Sequence, residues 1–175
     1  MEIRIAGIVN ESVVDGPGIR MVVFTQGCPH RCPGCHNPGT HDPLGGSLGD
    51  TDEIIAQIRE HRYISGVTIS GGEPFVQPAA CALLAEAAHE CGRNVMIYSG
   101  YTFEQLLAMA EEDEAVKRLL YVCDTLVDGL YIEERRNIDL AFRGSDNQRI
   151  IDLPKSLEKG EAVVLLMGRE AAGKP

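Results

Sequence analysis

Cys28-Pro29-His30-Arg31-Cys32-Pro33-Gly34-Cys35 crowds three thiols into one short run. They lie too close together to sit on separate elements, so they wrap a single centre from one loop. An iron–sulfur cube takes four ligands, usually all cysteine, and this run supplies three. A metal position that protein leaves open can bind and activate a substrate, so the pattern points to chemistry rather than scaffolding. Zinc also takes closely spaced thiolates, but a structural zinc site is closed by four protein ligands. No second Cys-x2-Cys pair is present, so His30, His36 or His41 would have to close a zinc set.

Outward from this loop, Ile3 to Val9 and Met21 to Gln26 are short, β-branched-rich runs bounded by Gly and Pro, and read as strands. The cysteine loop thus follows a strand. Thr40 to Asp50 is rich in Gly, Pro and Asp and reads as loop. Ile54, Ile55 and Ile58 then share a helical face, with Asp50 three residues before Glu53 in capping-box fashion, which predicts a helix over Asp52 to Arg62. Val67 to Ser70 is a strand ended by Gly71-Gly72. Pro78 suits a first helical position, and Leu83, Leu84, Ala87, Ala88 and Cys91 form a stripe stopped by Gly92. Val95 to Ser99 is a strand, Thr102 and Gln105 form a capping box opening a helix, and Leu119 to Val127 reads as another strand.

This alternation predicts an α/β fold of parallel βα units. A complete eight-fold barrel takes about 250 residues, so a chain of 175 residues is expected to form an incomplete (β/α) barrel with mostly parallel strands. From Tyr131 the alternation weakens: Glu133 to Arg136 is a solvated charge run and Leu140 to Gln148 a loop. Val163 to Met167 is expected as a last strand. Residues 1–167 are expected to form a single domain, with 168–175 a flexible tail.

A net charge of −10 and a pI near 4.9 argue against a nucleic-acid surface, which needs clustered Lys and Arg. No apolar run approaches the roughly 20 residues that span a bilayer, and the first residues lack the features of a secretory signal. The expected location is the cytoplasm, with reduced thiols. The scattered Cys81, Cys91 and Cys123 read as packing residues.

A C-x3-C-x2-C loop after a first strand, with Gly71-Gly72-Glu73-Pro74 ending a second, resembles the radical S-adenosylmethionine enzymes, which split that cofactor at a 4Fe-4S cluster. Val14-Asp15-Gly16-Pro17-Gly18 and Cys35-His36-Asn37-Pro38 are similar to the glycyl-radical-enzyme activases within them. Pro33-Gly34-Cys35, Tyr98 to Tyr101, Leu126 to Gly129 and Arg143 to Gln148 look most like the branch that acts on anaerobic ribonucleoside-triphosphate reductase. Many radical S-adenosylmethionine proteins carry an aromatic residue before the last cysteine; Gly34 stands there instead, as in that branch.

The resemblance implies the family's partial barrel, and assigns Cys28, Cys32 and Cys35 as ligands of a 4Fe-4S cluster whose fourth iron takes S-adenosyl-L-methionine. It implies that Gly71, Gly72 and Glu73 receive the methionine part, and that Gly34 and His36, straddling Cys35, touch the adenine side. Asp15 is the catalytic candidate, positioning the target peptide of the reductase; Arg143 to Arg149 would contact that partner. Reduced flavodoxin or ferredoxin is the expected electron donor. Tyr98, Tyr101 and Phe75 read as packing, with a cofactor contact open to them. Two competing readings are a formate-lyase-type activase and a non-catalytic metal or electron-carrier module. The latter predicts a filled ligand set.

Overall fold

The computed structural model describes residues 1–167; the tail expected over 168–175 lies outside the described residues. In chain order the elements are strands Glu2–Ser12 (β1), Arg20–Thr25 (β2) and Ser47–Asp50 (β3), helix Thr51–Glu60 (α1), strand Gly66–Gly71 (β4) and helix Pro78–Glu90 (α2). Strand Asn94–Tyr98 (β5), helices Phe103–Glu112 (α3) and Glu114–Val122 (α4), strands Thr125–Asp128 (β6) and Arg149–Asp152 (β7), and helix Leu153–Lys159 (α5) follow. Among the described residues no helix is long and apolar enough to cross a membrane.

The strands form one seven-stranded sheet in the order β3-β1-β2-β4-β5-β6-β7. The run β2-β4-β5-β6 is parallel throughout. Both flanks are antiparallel, where β1 pairs with β2 and β3 and where β7 pairs with β6. The expectation of mostly parallel strands therefore holds in the middle of the sheet only. A parallel return needs a crossover of a dozen or more residues, and the short Val13–Ile19 link between β1 and β2 cannot supply one.

Three expectations along the chain are corrected. Leu119 to Val122 belongs to α4, and the strand begins only at Thr125. Val116, Leu119 and Leu120 are the buried face of this helix, and Asp113 caps it by accepting from the backbone N–H groups of Ala115 and Val116. The end of the expected Thr40–Asp50 loop is β3, paired with Glu2–Ile5. Val163 to Met167 adds only a single bridge, from Ile151 to Val164. The short β7 and α5 lie beyond the alternating pattern; Asp152 caps α5 and Gly160 ends it at φ 72°.

Alternation along each central strand divides the sheet's faces. Met21, Val23, Val67, Ile69, Val95, Ile97 and Leu126 join the large core under the helices, with α2 lying between α1 and α4. Cys81 and Cys123 sit in that core, and burial pushes the Cys81 thiol up to about 12. The other face carries a smaller cluster, Met96, Val127 and Ile150, bordered by Tyr98 and Phe142. Because β2, β4, β5 and β6 run the same way, the loops at their carboxyl ends meet along one edge, where open parallel sheets bind ligands.

Candidate active site

At that edge lies a cleft of about 500 Å³, a size that suits a small-molecule ligand. All four parallel strands contribute to it: Cys28, Cys32 and Cys35 after β2, Gly71 and Gly72 from β4, Ser99 and Gly100 after β5, Gly129 after β6. Val14 and Asp15 come from the β1–β2 turn, and Tyr131, Phe142 and Gln148 from the segment between β6 and β7.

The cysteine loop is tightly wound. Arg31 at φ 48° and Gly34 at φ 70° both occupy the left-handed region, and Cys35 N–H donates to Cys32 O at 3.2 Å. Backbone N–H groups also face sulfur: Asn37 donates to Cys35 Sγ at 3.4 Å, and those of His30 and Arg31 favour the Cys28 thiolate. Burial nonetheless pushes the Cys28 and Cys32 thiols above their ordinary range. All three are free and partly exposed. Among the described residues no three His, Cys, Asp or Glu side chains converge on a point that one metal ion could occupy. Three free thiols on one loop are the kind of donor set that a 4Fe-4S cluster takes from a protein.

Gly71 and Gly72 line the cleft, but the pressure for glycine comes from the chain itself. A Cβ on Gly71, at φ 100°, would stand 2.5 Å from Thr25 N, and one on Gly72 would fall on the carbonyl of Gly27. The residue before Cys28 is thus pressed against the end of β4, where Glu73 N–H donates to Gly27 O at 2.8 Å.

Glu73 and Gly34 do not line the cleft. The Glu73 side chain is fully buried, accepting from Gly100 N–H at 2.8 Å and Phe75 N–H at 3.1 Å. Gly34 turns its missing side chain toward Glu133, whose carboxylate accepts from Tyr131 OH at 2.6 Å. His36 does line the cleft, with its ring tilted against Tyr131 at 4.8 Å between centroids.

Asp15 stands at the cleft wall, and Ser12 Oγ donates to its carboxylate at 2.5 Å. Its turn is clamped from below. The fully buried Arg20 donates to Pro17 O at 3.2 Å and to Thr68 Oγ1 at 2.7 Å, while Thr68 Oγ1 donates to Asp15 O at 2.7 Å. Arg143 to Arg149 makes internal contacts. Gln148 Oε1 accepts from the N–H groups of Gly144 and Ser145 at 3.0 and 3.2 Å, and Arg149 bridges Asp128 and Glu104. Tyr98 OH donates to Phe142 O at 2.9 Å, Tyr101 lies edge-on to His30, and Phe75 is in the core.

Ser99, Gly100, Tyr131 and Phe142 add to the wall. Ser99 and Gly100 lie within the Tyr98 to Tyr101 stretch that carries the resemblance and just past a strand's carboxyl end, whereas Tyr131 and Phe142 belong to no such motif. His41 lines the same cleft, and its buried Nε2 has no partner among the described residues. An orphaned polar atom in a wall is one that a bound group would satisfy.

The family described as "4Fe-4S single cluster domain" matches residues 14–151, which spans the cysteine loop and all four parallel strands. An anaerobic ribonucleoside-triphosphate reductase-activating protein of Vibrio cholerae is 36% identical over 146 residues, covering 79% of this chain and 90% of the relative. Those of Escherichia coli K12 and phage T4 are 31% and 32% identical over 144 residues, 78% of this chain, and 90% and 86% of their own lengths. The chain belongs to the family of anaerobic ribonucleoside-triphosphate reductase-activating proteins.

Proposed function

We propose that this protein activates an anaerobic ribonucleoside-triphosphate reductase by generating a glycyl radical on it. The observation that carries this reading is the meeting of three free thiols and the two glycines at the end of β4 in one cleft at the carboxyl edge of four parallel strands. Cys28, Cys32 and Cys35 would hold a 4Fe-4S cluster, and the backbone of Gly71 and Gly72 at the cleft wall would hold the methionine part of S-adenosylmethionine. When bound, this pair supplies one-electron cleavage of the sulfonium bond and removal of a hydrogen atom from a glycine of the reductase. The electron would come from a reduced flavodoxin or ferredoxin.

The chain's own residues hold and shield. Backbone N–H groups of the loop turn toward sulfur and favour the thiolate form that irons require. Phe24 and Phe142 give the cleft apolar surface that limits water, and Tyr98 pins Phe142 in place. His41 Nε2 is a polar contact waiting in the wall, and His36 with Tyr131 forms a flat surface suited to adenine. Asp15 would orient the incoming glycine segment. In this reading the parallel strands, with reversed strands at each side, are the curved part of an incomplete (β/α) barrel.

Anaerobic reconstitution with iron and sulfide, then incubation with S-adenosylmethionine, a strong reductant and the reductase, tests the proposal. The expected result is release of 5′-deoxyadenosine together with a radical signal on the reductase by electron paramagnetic resonance. Cluster uptake without 5′-deoxyadenosine would favour an electron carrier, and cleavage without a radical on this reductase would move the activity to another glycyl-radical protein.

A further inference from the structure

Glu73 stands in the sequence where a cofactor contact is expected, yet its carboxylate is spent beneath the cleft. It accepts from Phe75 N–H, Gly100 N–H and, at 3.0 and 3.1 Å, from Ser99 Oγ. Its remaining neighbour is His30 Nε2, at 2.8 Å from Oε2. His30 sits midway between Cys28 and Cys32 in the loop, with its side chain 13% exposed. The slot around its ring is shaped for it: Tyr101 meets it edge-on at 4.5 Å, and a Cβ on Gly100 would fall on the imidazole.

The thiol-bearing loop is therefore fastened at its middle to a buried carboxylate, which the chain just after β4 and β5 holds from the other side. We propose that Glu73 is a positioning residue that fixes the cysteine loop through His30, and that it does not touch the cofactor. The proposal rests on the reading that Cys28, Cys32 and Cys35 hold the cluster, but its first test requires no cluster.

In the metal-free protein the three loop thiols are partly exposed, so the rate of iodoacetamide alkylation at each cysteine, read by mass spectrometry and corrected for thiolate fraction from its pH profile, reports how far the loop departs from its fastened arrangement. His30→Ala and Glu73→Gln are each expected to raise the rates of Cys28 and Cys32 about tenfold, the factor set by ~1.4 kcal/mol. The double variant is expected to go no further than the larger single effect, because both remove one contact. His30→Gln, which keeps an N–H near the same place, is expected to restore most of the protection. Cys81 and Cys123, buried in the core, stay protected throughout and report that the fold is intact. If Glu73→Gln exposes them, His30→Ala decides alone. In the iron-loaded protein the two single variants are expected to release iron to a chelator faster and to alter the resonance of the reduced cluster alike. The proposal is overturned if His30→Ala alkylates like the parent. It is overturned equally if Glu73→Gln leaves thiols and cluster unchanged while weakening S-adenosylmethionine binding. Failure of the cluster reading looks different: the unmodified protein takes up no iron, whatever the alkylation rates.

Discussion

Replacing Cys28, Cys32 or Cys35 by Ala removes one of the three thiols in the cleft, and each change is expected to abolish iron retention after reconstitution. Cys81→Ala and Cys123→Ala are expected to load iron normally and to lose only packing, since burial holds both in the core. Iron content and visible absorption of the five variants decide this; equal loss from the Cys123 change would sink the three-ligand assignment. Gly72→Val has a different meaning at the residue scale than its motif suggests. Glycine at a strand end leaves room for a ligand, but here the room is taken by Gly27. The expected outcome is a displaced cysteine loop, with stability lowered by about 1–3 kcal/mol and iron retention lost together with cofactor binding. A denaturant midpoint and an iron assay separate this from a variant that loads its cluster and fails only to bind S-adenosylmethionine.

Among the elements, β7 pairs with β6 through the backbone, and its Arg149 side chain adds a tie to both β6 and α3, meeting the buried Asp128 and the more exposed Glu104. Hydrogen bonding from Arg149 holds the Glu104 carboxyl down at about 2, below its unfolded value of about 4.3. A depressed carboxyl contributes stability above the unfolded pKa and loses it as pH falls through the folded one. Glu104→Gln is thus expected to cost under about 1 kcal/mol at neutral pH, in keeping with an exposed ion pair. That cost is expected to vanish between about pH 4 and pH 2. Arg149→Met is expected to cost more, about 3 kcal/mol, because it strands the buried Asp128; denaturant midpoints across this pH range compare the two. Elements with strong local signals were legible in the sequence, among them the Thr102–Gln105 capping box of α3, which forms in both directions. The boundary between α4 and β6 was not. Leu119, Leu120 and Val122 read equally as strand or as the buried side of a helix, and only packing against α2 and α3 resolves them.

At the scale of the whole molecule, the cleft faces outward at one edge of the sheet, and the Asp15 turn stands at its wall. Asp15→Ala is expected to load its cluster and cleave S-adenosylmethionine slowly without a partner, yet to generate much less radical on the reductase. Spin counting after mixing the two proteins measures this, and a full yield would return the turn to a purely structural role. By itself the sequence determined that three thiols crowd one loop, that βα units alternate through the middle of the chain, and that the chain is acidic. These are local properties, carried by spacing, period and composition. Only the tertiary structure decided that the outer strands run backward, that the segment between β6 and β7 closes over the cysteine loop, and that Glu73 binds His30. Each of these depends on contacts between residues far apart in the chain, such as His30 with Glu73 and Gly27 with Gly72, and no local pattern encodes which distant partner a buried group will meet.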